Sequence, residues 1–143
     1  MNDFLTSIRF PAKEDVLSTE RESLCVFDRN TAKLFPSESG SVVLEAGESF
    51  KHWDSVDKIV RQALDQGVAR DGCFTGVGGG VVCDMTGFAA SVYMRGISLI
   101  QVPTTLLCMV DASIGGKTGI DLDGYKNMIG TFNPAGKVHF PLF

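Results

Sequence analysis

Histidine is scarce in this 143-residue sequence: His52 and His139 are the only two, and neither stands at zinc-type spacing from a second ligand. A complete metal site within the chain is therefore not expected. Cys25, Cys73, Cys83 and Cys108 are far apart and form no CxxC pair. They read as reduced, mostly buried thiols of a cytosolic protein. Basic residues are outnumbered, 13 against 17 acidic ones, for a formal net charge of −4 and a pI near 5.1. That balance excludes a general binder of nucleic acid or of an anionic membrane, and leaves any anionic ligand to a few local cations. No apolar run reaches the roughly 18 residues of a spanning helix. The start, MNDFLTSIRF, has no basic stretch followed by an apolar one, so no secretory signal is expected. Internal repeats and low-complexity tracts are also missing.

What is present suffices for one ordinary domain with a real core: 44% hydrophobic and 21% charged residues. A short element is expected near Phe4 to Phe10. SLCVFD (23–28) reads as a buried strand leading into Asp28-Arg29-Asn30, PSESGS (36–41) as a loop, and VVLEAG (42–47) as a second strand. From Ser49 to Gly67, Trp53, Val56, Ile59, Val60, Ala63 and Leu64 recur at helical spacing, with Gly67 as the stop. GCFTGVGGG (72–80) is a strand emptying into a glycine turn, VVCDMTGFAASVYM (81–94) a buried helix, and GISLIQVP (96–103) a further strand. TTLLCMVDAS (104–113) suits a short helix or turn, and GGKTGIDLDGYKN (115–127) a polar loop flanked by Lys117 and Lys126. Strands alternating with helices predict an α/β fold with a mostly parallel sheet covered on both faces.

Two stretches carry chemistry. Gly78, Gly79 and Gly80 leave a strand and enter a helix, where bare backbone lets a phosphate reach the N–H groups of the helix start. The dinucleotide fingerprint GxGxxG is not met, because Val81 stands where the third glycine belongs. Asp84, one turn further, is placed to cap that turn or to bond a ribose hydroxyl; a tight turn without a ligand is the plain alternative. The second stretch, DASIGGKT (111–118), nearly spells a P-loop, but Asp111 replaces its first glycine and would repel nucleotide phosphates. An NTP hydrolase is thereby disfavoured. Asp111, between an apolar run and two glycines, is expected to be desolvated and so paired or functional; Lys117 and Lys126 read otherwise as a solvated loop.

GGGVVCDMTGFAASVYMRG, then QVPTTLLCMVDASIGGKTGID, then KNMIGTF together resemble the 3-dehydroquinate synthase family of sugar phosphate cyclases. The likeness is nearly continuous from about Gly78 to Phe132 and thins upstream to Asp28-x-Asn30 and GESFK (47–51). It implies a Rossmann-like NAD-binding domain spanning residues 1–143 and a parent reaction that turns 3-deoxy-D-arabino-heptulosonate 7-phosphate into 3-dehydroquinate and phosphate. By position it implies that Asp28, Asn30, Glu48 and Lys51 hold the adenosine half of NAD. Gly79, Gly80 and Val81 would meet its pyrophosphate and Asp84 a ribose, with Thr104, Thr105 and Lys126 as further NAD contacts. Asp111, Lys117 and Asn127 would bind the sugar phosphate, and Arg95 would reach the substrate phosphate of the neighbouring subunit in a homodimer.

The family's divalent metal, zinc or cobalt, is implied to lie in a following helical domain, held by one glutamate and two histidines. His52 and His139 do not match those positions, so the metal ligands assigned to this chain are none. The segment between Asp28 and Gly47 is shorter than the family pattern, which implies a clipped strand. Tyr125 stands where glycine is usual, and NPAGKVHFPLF lacks the family's strand-and-aspartate continuation. The expectation is an N-terminal half, inactive alone and completed by a missing C-terminal half. A non-catalytic nucleotide-binding or oligomerisation module and another sugar phosphate cyclase are the alternatives.

Overall fold

β-Branched and aromatic residues bounded by turns build the centre of the molecule. The computed structural model describes residues 7–17, 22–36 and 40–142. Within these, β1 (Ser7–Arg9), β2 (Ser23–Asp28), β3 (Val42–Leu44), β4 (Cys73–Gly78), β5 (Ser98–Pro103) and β8 (Lys137–His139) form one sheet, ordered β1-β8-β5-β4-β2-β3. Every pairing in it is parallel. The even register buries side chains of β2 on both faces. Leu24 and Val26 join one core with helix α1 (Trp53–Asp65) and helix α2 (Gly80–Val92), while Cys25 and Phe27 join a second core with Phe35, Val77 and Val102. The mostly parallel α/β expectation holds, and none of the described helices is long and apolar enough to cross a membrane.

From β2 the chain moves outward to β3, whereas from β4 it moves the other way, to β5. The gap between the carboxyl ends of β2 and β4 is thus a topological switch point, where open α/β sheets form a ligand crevice. Thr31, in the 3₁₀ turn that follows β2, ties the turn to β4 by donating to the Val77 carbonyl at 2.9 Å.

Several boundaries depart from the sequence reading. The helix expected from Ser49 begins at Trp53, after a 3₁₀ turn at Glu48–Phe50. The Lys51 carbonyl accepts from the Asp121 N–H at 2.8 Å and is therefore lost to the helix. The stop at Gly67 is as expected: with φ +67°, its N–H meets the Leu64 carbonyl, and that of Val68 meets Ala63, in a Schellman closure. The strand expected at 42–47 ends at Leu44, shortened at the sheet edge but present. Of the element expected from Phe4 and the loop expected at 36–41, residues 4–6 and 37–39 lie outside the described residues.

The largest correction concerns 115–127. It is a β-hairpin rather than a loop, with β6 (Lys117–Leu122) antiparallel to β7 (Tyr125–Phe132). Asp123 and Gly124 form its two-residue turn, both at positive φ, +49° and +81°. That geometry is favoured because its twist matches the strands, and Asp-Gly is its sequence signal. The chain after Phe132 also departs from expectation, since it forms β8, which lies between β1 and β5 with Val138 and His139 buried.

Candidate functional site

The hairpin lies over α2, and a glycine permits the approach. A Cβ on Gly87 would stand 2.4 Å from Thr118 Cγ2, so only hydrogen fits there. Polar ties finish the seam: Asn133 Nδ2 donates to the Gly87 carbonyl at 3.0 Å, and the Thr131 hydroxyl to Ser91 Oγ at 2.8 Å. Where hairpin and helices diverge, a cavity of about 630 Å³ opens. Asp84 from α2, Asp111 between helices α3 (Leu106–Val110) and α4 (Ala112–Gly115), and Lys117 and Asn127 from the hairpin face it. Four residues picked from a sequence span of 44 positions thus share one space.

Lys51 joins this cavity to a smaller one. Its ammonium donates to Asp84 Oδ2 at 2.7 Å and to Asn127 Oδ1 at 2.6 Å, with the Lys51 side chain 5% exposed and that of Asp84 17%. The second cavity, about 300 Å³, is lined by Glu48, Lys51, Asp121 and Lys126 among others. Burial raises the Asp84 pKa above the ordinary carboxylate value, against the hydrogen bond and charge of Lys51, and the charges of Asp111 and Asp121 add to the rise. Asp84 therefore pairs with Lys51 and does not cap its own helix, contrary to one of the two roles the sequence allowed.

At the switch point, Asp28 turns its carboxylate inward. Oδ1 accepts from the N–H groups of Asn30 (2.9 Å) and Thr31 (2.8 Å) and from the Thr31 hydroxyl (3.1 Å). It shapes the loop that presents Asn30 to solvent. Across the crevice, α2 begins at Gly80, after an N-cap residue, Gly79, that supplies no side-chain cap. A Cβ on Gly79 would meet nothing nearer than Thr105 Cγ2 at 3.4 Å, and one on Gly80 nothing nearer than Ala112 Cβ at 3.9 Å. The backbone there is open to a ligand, and the first N–H groups of a 13-residue helix attract an anion. Val81 is half-buried in the first turn, and Thr104 donates its N–H to the Gly78 carbonyl at 2.9 Å. Thr105 caps α3 by accepting from the Cys108 N–H at 3.3 Å. Ala112 lines the larger cavity and stands beside Gly80, whereas Gly79 and Gly80 are not among the residues that line it.

One expectation changes. Asp111 is exposed, not desolvated, because the outer face of α3 packs against nothing among the described residues: Leu106, Leu107 and Val110 are 76%, 74% and 69% exposed. Arg95 stands outside this cavity, at the far end of α2 from the glycine turn, roughly 20 Å away at 1.5 Å per residue. Sequence reading also missed Asp121 and the hairpin residues Thr118, Met128, Gly130, Thr131 and Phe132, which line the two cavities. The Asp123-Gly124 turn was the available signal for the hairpin.

All four cysteines are buried, as expected. His139 donates from Nδ1 to the Val16 carbonyl at 2.9 Å and lies buried in the sheet, while His52 precedes α1. Among the described residues no three His, Cys, Asp or Glu side chains are grouped to hold a metal ion.

Compared with known proteins, residues 41–142 match the family described as 3-dehydroquinate synthase N-terminal. A 3-dehydroquinate synthase of Acidithiobacillus ferrooxidans is 51% identical over 104 residues, which are 73% of this chain and 29% of that protein. One from Gloeobacter violaceus is 54% identical over 96 residues, 67% of this chain and 27% of that protein. Among solved structures, the valiolone synthase ValA of Streptomyces hygroscopicus subsp. jinggangensis, with NAD+ and Zn2+ bound, superposes with a TM-score of 0.86 at 27% identity. It is matched over 99% of this chain and 44% of its own. A 2-deoxy-scyllo-inosose synthase complexed with carbaglucose-6-phosphate, NAD+ and Co2+ gives a TM-score of 0.79 at 26% identity, over 95% of this chain and 42% of its own. The chain thus spans less than a third of these two curated relatives and under half of the solved ones.

Proposed function

Because the chain belongs to the 3-dehydroquinate synthase N-terminal family, we propose that it supplies the NAD-binding and part of the substrate-binding half of a cyclase. The parent reaction converts 3-deoxy-D-arabino-heptulosonate 7-phosphate into 3-dehydroquinate and phosphate. The observation that carries the reading is Lys51, which ties a helix carboxylate, Asp84, to a hairpin amide, Asn127, beside an uncapped glycine turn. Both solved relatives described above hold NAD+, and one holds a sugar phosphate analogue.

The residues fit NAD. Gly79, Gly80 and Val81 offer bare N–H groups to its pyrophosphate, Asp28 and Asn30 edge the switch-point crevice, and Glu48, Lys51 and Lys126 gather at the smaller cavity. NAD, when bound, supplies reversible hydride transfer; the chain supplies orientation and charge. Lys117 neutralises an anionic group of the substrate. Asp111 accepts from substrate hydroxyls and, with Asn127, fixes which carbon faces the cofactor. Arg95, exposed at the far end of α2, serves the substrate phosphate of a neighbouring copy in a homodimer.

A divalent metal does not fit the described residues, among which no three His, Cys, Asp or Glu side chains are grouped to hold one. The chain alone is accordingly expected to release no phosphate in a coupled assay with the heptulosonate phosphate, NAD and zinc. Robust release would overturn the division into halves. Calorimetry tests the cofactor site directly: NAD binding abolished by Asp84→Ala supports it, whereas no binding at millimolar NAD favours a non-catalytic module.

A further inference from the structure

The β6–β7 ladder breaks at one place. Ile120 faces Ile129 and Leu122 faces Tyr125, so a single residue, Asp121, stands opposite Lys126, Asn127 and Met128. Such a bulge leaves backbone groups without ladder partners and re-aims the side chains on it. Here the stranded N–H belongs to Asn127, whose φ is +52°. It donates to the Asp121 carboxylate, Oδ1, at 2.8 Å.

Asp121 also reaches the other way. Its own N–H donates to the Lys51 carbonyl at 2.8 Å. Lys51 in turn donates its ammonium to Asn127 Oδ1 at 2.6 Å. Three contacts thus close a ring through Asp121, Lys51 and Asn127, and they join the segment before α1 to both strands of the hairpin. Asp84 hangs on the ring through Lys51 at 2.7 Å. By accepting the Asn127 N–H, Oδ1 of Asp121 holds that residue in its left-handed turn, a conformation that asparagine tolerates but does not prefer over the right-handed one.

We infer that Asp121 is a positioning residue, whose carboxylate holds the β7 bulge so that Asn127 faces the larger cavity and Lys51 stays fixed between Asn127 and Asp84. This rests on the reading of Asn127 and Asp84 as substrate and cofactor groups, but its structural content can be tested separately. Asp121 lines the smaller cavity, and its positioning effect runs through Asn127 and Lys51. As a half-buried charge it also bears on Asp84, whose raised pKa it helps to sustain.

The experiment uses the 143-residue chain, labelled for NMR, with Asp121→Ala and Asp121→Asn. Amide exchange of Asn127, the carboxyl titration of Asp84 and NAD binding by calorimetry are read for each. Asp121→Ala is expected to speed exchange at Asn127 by about tenfold, the loss of one hydrogen bond. Asp121→Asn keeps an acceptor oxygen without the charge, so it should restore that protection. Both variants should lower the Asp84 titration midpoint, which a merely structural contact would not move. NAD affinity should fall in the alanine variant and recover in the asparagine variant. Unchanged Asn127 exchange in Asp121→Ala, or exchange in Asp121→Asn as fast as in the alanine variant, overturns the assignment. If the parent chain itself binds no NAD, the cofactor reading falls while the exchange data still decide the role of Asp121.

Discussion

Lys51 donates to two acceptors while its side chain is 5% exposed, so the ion pair with Asp84 is mostly removed from water. Breaking a buried pair by removing one partner leaves an uncompensated charge. Lys51→Met is expected to cost about 3 kcal/mol in urea denaturation and to push the Asp84 pKa further up, readable by carboxyl NMR. The pH dependence of Asp84 has a definite sign. Its folded pKa is raised, chiefly by burial, so the folded state binds the proton more tightly than the unfolded state does. Its contribution to stability is therefore most favourable below the ordinary aspartate range and is lost as pH rises through the raised value. The stability difference between the parent chain and Asp84→Asn should fall across that window and be flat on either side; a difference that grows with pH would contradict it. Glycines separate by what faces them. Gly79→Ala meets only Thr105 at 3.4 Å, so stability should change by less than about 0.5 kcal/mol while NAD affinity drops. Gly76→Ala drives a Cβ to within 2.8 Å of Gln101 Oε1 and 3.0 Å of Thr86 Cβ, a clash expected to cost about 1–3 kcal/mol.

At the scale of elements, the hairpin β6–β7 is the part that sequence periodicity hid. Its turn residues, Asp123 and Gly124, were visible as a dipeptide, but Lys117 to Asn127 are rich in Gly, Lys and Asp, and β7 is exposed along almost its whole length. An alternating hydrophobic pattern has no reason to exist on a strand that buries neither face. Gly124 has open space around it, so Gly124→Ala is penalised only by its φ of +81°, by about 1 kcal/mol. Amide exchange should quicken in β6 and β7 and stay unchanged in β4 and β5, because local openings follow such units. The buried elements were legible. Leu24, Val26 and Phe27 on β2, and the three- and four-residue spacing of Val56, Ile59 and Ala63 on α1, announced themselves because burial demands apolar side chains.

For the whole molecule, the reversal of strand order between β2 and β4 fixes where a cofactor would lie, at the carboxyl edge bordered by Asp28, Thr31 and the glycine turn. If NAD occupies that crevice, a concentration one hundred times its Kd should add about 2.7 kcal/mol to the unfolding free energy, seen as a raised thermal midpoint. No shift at saturating NAD would argue against the crevice as its site. At the rim, Leu106, Leu107 and Val110 form an exposed apolar face on α3. Replacing Leu107 with Glu should leave stability within about 0.5 kcal/mol, since little contact is lost.

The sequence by itself determined the alternating α/β order, the buried strands and the glycine turn, because periodicity, β-branched runs and Gly punctuation act over a few neighbouring residues. It also named Asp84, Asp111, Lys117 and Asn127 as the residues to watch. Only the tertiary structure decided that these four line one cavity, that Asp111 is open to solvent, and that Lys51 and Asp121 connect the helix to the hairpin. Lys51 and Asn127 are 76 positions apart. Their meeting depends on a bulge register and on how closely a glycine lets two elements approach, and neither quantity is written in any local stretch of chain.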